Sequence, residues 1–321
     1  MGCEGENTLL RIMSDGAHAA GKRVGVSIGG WSLSWNFGTV AGDSIQRNNM
    51  VNSVIDLVRE YELDVIDIDW ESPACGEHSP DINGGCVGFM QHYPDDPQNM
   101  ALMFQELREG LDEQGLTHVT LSTAVMITAI PAYVESFPHL HRILLMTYDM
   151  VWVSEGQPSG HHSPLYNDKN ALNSVHGSVQ KLISLGYPKE QIQIGVPAYG
   201  HGWIATGPDI NNSNITIAAD SHNDPPVEPG VTSATFYDAM LENCKPQWDP
   251  TAEASWCVNP ATNEMWSYDS PQAIEAKVNY ACDHGLAGVA VWDAKQIGAG
   301  QPNQAVEYDA LVSALMNMCS S

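Results

Sequence analysis

Short apolar, β-branched runs alternate along the chain with amphipathic stretches. RVGVSIGG (23–30), LDVIDIDWE (63–71), HVTLSTAVM (118–126), RILLMTYD (142–149), QIQIGVPAY (191–199) and LAGVAVW (286–292) predict strands. Residues 7–21, 44–61, 98–115, 169–186, 270–284 and 304–318 predict helices. Strand followed by helix, repeated, implies a parallel sheet with helical crossovers. One segment breaks the rhythm. Residues 201–265 are rich in Asn, Pro, Asp and Trp and read as a small inserted subdomain.

The second strand carries the chemistry. Asp67, Asp69 and Glu71 share one parity, while Ile66, Ile68 and Trp70 share the other. Like charges placed side by side must share protons or find partners. A strand with a wet acidic face is the bland alternative. Other strands end in residues a core would not choose. Ser27, Gly29 and Trp31 share a parity, as do Met146 and Tyr148, and Ala290 and Trp292. In a closed parallel barrel one parity faces inward and the carboxyl ends of the strands form the active-site rim. The row of acids then rises toward a catalytic cavity.

Charge narrows the partners. With 13 basic and 39 acidic residues among 321, the formal net charge is −26, which argues against nucleic acid or an anionic membrane. No apolar run approaches the length of a membrane span. The opening MGCEGENTLL lacks the basic start and apolar stretch of a signal peptide. Seven cysteines show no metal-ligand spacing. Cys75 with Cys86, and Cys244 with Cys257, bracket loop-like stretches and are the disulfide candidates, with free thiols the alternative. Sequons at Asn211 and Asn214 also favour an extracellular setting, and the missing signal implies a longer precursor.

Six ordered motifs resemble glycoside hydrolase family 18, the chitinase family. They are SIGGW at 27–31, Asp64-x-x-Asp67-x-Asp69-x-Glu71, Met146-Thr-Tyr148-Asp149, GHHSPLY at 160–166, GVPAYG at 195–200 and GVAVW at 288–292. The resemblance implies an α/β fold of the (β/α)8 TIM-barrel type. Only six strands are legible, so the first two are expected to be lacking, which would leave unusual edges on the strands at 23–30 and 286–292. The expected organisation is a barrel part at 1–200, an α+β insertion at 201–265 and the end of the barrel at 266–321.

Asp69 and Glu71 stand roughly 6–7 Å apart along one strand, too close in direction to flank a sugar ring as ordinary paired carboxylates do. Either a nucleophile comes from another strand or the substrate supplies one. The resemblance implies the second: the 2-acetamido oxygen attacks the anomeric carbon and configuration is retained, a known property of the family rather than a deduction from this spacing. It further implies Glu71 as general acid and base, Asp69 as the group orienting the acetamide, Asp67 as its proton-sharing partner and Tyr148 as the holder of the acetamido oxygen. Trp31, Met146, Asp149, Tyr199 and Trp292 are implied to contact substrate. Trp152, Trp203 and Trp266 either extend the cleft or pack in the core.

His201 stands where many relatives have arginine, and Ser72 where tyrosine is common. The leading expectation is a secreted, monomeric chitinase acting on chitin or chitooligosaccharides, without metal or cofactor. The alternatives are a chitin-binding protein or inactive barrel fragment that does not cut, and an endo-β-N-acetylglucosaminidase acting on N-glycans.

Overall fold

A computed structural model describes residues 4–73, 93–151, 160–167, 173–205, 219–221, 244–259, 261 and 264–293. The expectations for Cys75, Cys86, Trp152, the side chain of Trp203, both sequons and the helix at 304–318 lie outside the described residues. The chain forms two units, Met1–Leu144 and Leu145–Ser321.

In the first unit, α1 (Glu4–Ala19) leads to β1 (Gly25–Gly29), and a 3-10 turn at Ser34–Asn36 runs into α2 (Phe37–Gly42). Then follow α3 (Ser44–Tyr61), β2 (Val65–Asp69), α4 (Asp96–Glu113), β3 (Thr120–Met126) and a 3-10 segment, Ile130–His139. The short helix α2 and both 3-10 pieces escaped the sequence reading, because segments this short show no full amphipathic period. β1 and β3 both pair parallel to β2, with Ser27 and Ser122 in register with Asp67. The alternation along β2 is realised: Ile66, Ile68 and Trp70 are buried, and Trp70 stacks on Phe37 of α2 at 5.6 Å.

Local chemistry fixes the helix ends. Asp43 caps α3 by accepting from the backbone N–H groups of Ile45 and Gln46 (3.0 and 2.9 Å), and left-handed Glu62 ends it. Arg47 of α3 reaches across to Glu106 of α4 through two guanidinium nitrogens, at 3.0 and 2.8 Å. Asp64 has the parity opposite to the acidic row and serves the start of β2. Its carboxylate accepts from the Val24 N–H and meets His18, both at 2.9 Å.

β4 (Arg142–Met146) crosses the division between the units. The second unit continues with α5 (Val175–Ser184), β5 (Ile192–Pro197), β6 (Gly200–Ala205), β7 (Ala219–Ser221), β8 (Lys245–Asp249), β9 (Ala254–Asn259), β10 (Glu264–Tyr268), α6 (Pro271–His284) and β11 (Gly288–Trp292). Ser270 caps α6, Pro271 occupies its first turn and left-handed Gly285 closes it. β11 pairs parallel to β5, and Val196, Val289 and Val291 pack with Ile274 and Val278 of α6.

All six strands expected from the apolar runs are present. Among the described residues β1 pairs only with β2 and β11 only with β5, so each keeps one unpaired edge. Strands β6 to β10 form an antiparallel sheet in the order β7-β6-β10-β9-β8. This sheet is the structure of the segment that broke the strand–helix rhythm, as far as the described residues reach.

The sheet is tied by a disulfide between Cys244 and Cys257, one of the two pairs expected. Tyr268 and Trp266 pack around it, which makes Trp266 a packing residue of this sheet. The bridge closes a loop of 13 residues, so replacing both cysteines by alanine is expected to cost roughly 3 kcal/mol. Thermal unfolding of the double variant beside the wild type checks this. An unchanged melting temperature would show that the bridge constrains nothing.

Candidate active site

The first unit brings Asp67, Asp69 and Glu71 together with groups the sequence had not assigned. The Ser27 hydroxyl donates to one Asp67 oxygen (2.7 Å) and the Ser122 hydroxyl to the other (2.6 Å). Burial pushes the Asp67 carboxyl up from its ordinary range, and the two hydroxyls oppose that shift without cancelling it. Asp69, 6% exposed, is treated differently: its Oδ1 is buried and has no hydrogen-bond partner. Burial, and then the charge of Asp67, push the Asp69 carboxyl up to about 7. Both carboxyls are thus pushed upward and titrate as a coupled pair, with the two serines favouring charge on Asp67.

Glu71 follows the end of β2 and is half-buried, and its backbone N–H donates to the Ser34 hydroxyl at 3.3 Å. That same hydroxyl donates to the carbonyls of Gly30 (2.5 Å) and Asp69 (2.9 Å), so one serine pins the SIGG turn to the acidic strand. Gly29, at φ +115°, passes so close that an added Cβ would lie 2.3 Å from the Asp69 carbonyl oxygen. Here the double glycine is a steric requirement. Beneath lies Tyr133, fully buried, donating to the Trp70 carbonyl at 2.6 Å. Its pKa is raised well above the phenolic range by burial, then by the charges of Asp69, Glu71 and Asp67. Ser122 and Tyr133 were missed by sequence reasoning. Only the parity of Ser122 in its strand offered a signal. Trp31, just after the glycines, is 43% exposed.

The second unit gathers Tyr148, Asp149 and Tyr199, together with two histidines. Tyr148 is buried, and its ring meets Tyr199 edge-on at 6.1 Å. Gly195 on β5 makes room for it: a Cβ there would come within 2.5 Å of Tyr148 Cε1. Gly195→Ala is therefore expected to displace the Tyr148 ring and to cost about 1–3 kcal/mol. Urea unfolding and the near-ultraviolet circular dichroism of the tyrosines check this. A spectrum and midpoint identical to wild type would refute the contact.

Asp149 adopts left-handed backbone, φ 56°, which turns its carboxylate toward β6. The Tyr199 hydroxyl donates to its Oδ1 at 2.6 Å, and His201 Nε2 lies 2.7 Å from the same oxygen. His162 Nδ1 stands 3.9 Å away, beyond hydrogen-bond length. Burial raises the Asp149 pKa, but the two histidines outweigh it and hold the carboxylate well below its usual range. Burial, and the charge of His201, drive His162 down to about 3, although Asp149 opposes this. Tyr199 is raised well above the phenolic range by burial and by Asp149. Met146, at the end of β4, is half-buried, and Trp292, at the end of β11, is 48% exposed. The second unit also buries a Lys277–Asp269 ion pair, whose ammonium donates to the Ser163 hydroxyl at 2.5 Å.

Comparisons with known proteins bear on the candidate residues of each unit. The chain is 28% identical over 293 residues to Chitinase A1 of Niallia circulans, which covers 84% of this chain and 40% of that protein. It is 27% identical over 326 residues to a chitinase-like effector of Moniliophthora roreri, covering 89% of this chain and 77% of that one. The crystal structure of a chitinase from Rhizomucor miehei superposes with a TM-score of 0.81 at 23% identity, covering 97% of this chain and 88% of that one. The fold is therefore of that TIM-barrel-like α/β type. The chain spans less than half the length of Chitinase A1. The model of the family described as Glycosyl hydrolases family 18 matches residues 5–296, and the chain belongs to that family.

Proposed function

We propose that the chain is a chitinase that hydrolyses β-1,4 bonds between N-acetylglucosamine units with retention of configuration. The observation that carries this is the carboxyl row on β2: Asp67 held by two serine hydroxyls, Asp69 with an unpartnered oxygen and a pKa raised to about 7, and Glu71 at the strand end. Glu71 protonates the leaving oxygen while the substrate's own acetamido oxygen attacks the anomeric carbon, and Glu71 then takes a proton from the incoming water. Asp69 passes the proton it shares with Asp67 to that neighbour and accepts the acetamide N–H as positive charge grows on the ring intermediate. Tyr148 donates its hydroxyl to the acetamido oxygen and Asp149 contacts the same sugar. Trp31 and Trp292, each part-exposed, stack on pyranose faces, and Met146 and Tyr199 are further substrate contacts.

The disulfide and the acidic surface fit an extracellular enzyme acting on a neutral polymer. The segment 201–265 acts as an insertion that deepens the cleft. Hydrolysis of a fluorogenic chitotrioside, with proton NMR of the first-formed anomer, tests the reading. Release of the β-anomer supports it. A folded chain that releases no fluorophore, or forms the α-anomer first, overturns it. The second reading is a chitin-binding protein without hydrolysis; one relative carries the name chitinase-like effector rather than chitinase. This reading predicts retention on a chitin column with no soluble product. Cleavage of the chitobiose core of an N-glycan in place of chitotriose would point to the third.

A further inference from the structure

We propose that Asp149, His162 and His201 form a binding site for a divalent transition-metal ion of borderline softness, with zinc as the ion to test. One carboxylate oxygen and one nitrogen from each imidazole lie within 4.8 Å of one another. Two imidazoles and a carboxylate are the donor set of three-ligand zinc sites, which leave a fourth position open for water or substrate. Bonds of about 2.0–2.1 Å to a tetrahedral zinc place its ligand atoms about 3.3 Å apart. The present spacings include 2.7 Å from Asp149 to His201 and 3.9 Å from Asp149 to His162. The metal therefore spreads the first of these pairs and draws in the second by well under 1 Å, and draws the two imidazole nitrogens, within 4.8 Å of each other, together by about 1.5 Å at most.

The second observation is His162 itself. Its side chain is fully buried and neither ring nitrogen has a hydrogen-bond partner. A ring that merely filled space would leave an N–H and a lone pair unpaired, which cores avoid. The ring is nonetheless held in place. The His162 N–H donates to the Ser267 hydroxyl (3.0 Å), its carbonyl accepts from Met150 (2.9 Å), and the ring lies between Tyr199 and His201, with centroids at 5.4 and 4.8 Å. Tyr199 donates to the ligating carboxylate, which is the outer contact that fixes a ligand's orientation. The buried cation nearby, Lys277, is neutralised by Asp269. An ion enters from the side of Asp149, whose side chain keeps 27% of its surface accessible.

The test is titration of the dialysed chain with Zn2+ against a chromophoric chelator, with Mg2+ and Ca2+ in excess. One zinc per chain is expected, undisturbed by the hard cations, which prefer all-oxygen shells. His162→Asn and Asp149→Asn should each weaken binding more than about tenfold, and Tyr199→Phe by about tenfold through the outer contact alone. A wild type that takes up no zinc overturns the proposal. So does uptake that both ligand variants leave unchanged, which would place the ion among the other histidines and carboxylates. Should neither variant fold, the wild type decides through Co2+. Intense visible bands of four- or five-coordinate cobalt support the site, and the pale octahedral spectrum refutes it.

Discussion

Glu71→Gln is expected to lower kcat/KM for a chitotrioside by about 10²–10⁴-fold, with KM within about threefold of wild type and folding stability within about 0.5 kcal/mol. Glutamine keeps the shape of the half-buried side chain, and the Ser34 contact is to its backbone, so the SIGG turn is not disturbed. What it lacks is a transferable proton. The loss should therefore appear in kcat at every pH. Initial rates from acid to alkaline pH check it. A variant retaining a tenth or more of wild-type kcat would remove Glu71 as the acid and leave the acidic row without a catalytic role.

Asp69→Asn should make the chain more stable at pH 8 than the wild type, with the gain vanishing toward pH 4. An unfolded aspartate titrates near 3.9, whereas Asp69 in the folded chain titrates at about 7 because burial and the charge of Asp67 disfavour its ionised form. Between these values the folded state binds the extra proton, so stability falls as pH rises from about 4 to 7 and stays low above that. The full difference amounts to about 4 kcal/mol at most, and relaxation around the ionised pair brings the expected gain to about 2–3 kcal/mol. Urea unfolding of both proteins at pH 4.5 and pH 8 measures it. Equal differences at the two values would mean that Asp69 titrates normally. A stabilised variant with depressed hydrolysis is the expected signature of a site that maintains charge repulsion for chemistry.

Much of this was written in local pattern. The interleaving of Ile66, Ile68 and Trp70 with Asp67, Asp69 and Glu71 exposed both the buried face and the chemical face of β2, because side chains on a strand alternate strictly. Asp64 was set apart by the same parity. Cys244 and Cys257 were paired because a Pro- and Asp-rich stretch lay between them. Partners from other strands were not legible. Ser27 was read only by its parity and its place in SIGGW, and Ser122 not at all, since their roles depend on the register of β1 and β3 beside β2, and register is decided by pairing rather than by either strand alone.

The two histidines show the same division more sharply. His162 sits in a motif that was recognised, and His201 was noticed as a departure, yet no spacing joined them to Asp149. They lie 13 and 52 residues from it, far outside any ligand motif a sequence displays. Sequence by itself determined the alternation of strands and helices, the row of acids, the family motifs and the acidic surface, because each is a property of neighbouring residues or of composition. Tertiary structure alone decided that two serines hold Asp67 while Asp69 has an unpartnered oxygen, that Gly195 must yield its space to Tyr148, and that two imidazoles converge on one carboxylate. Those depend on distances between segments remote in the chain, and burial sets their energies only once the segments have met.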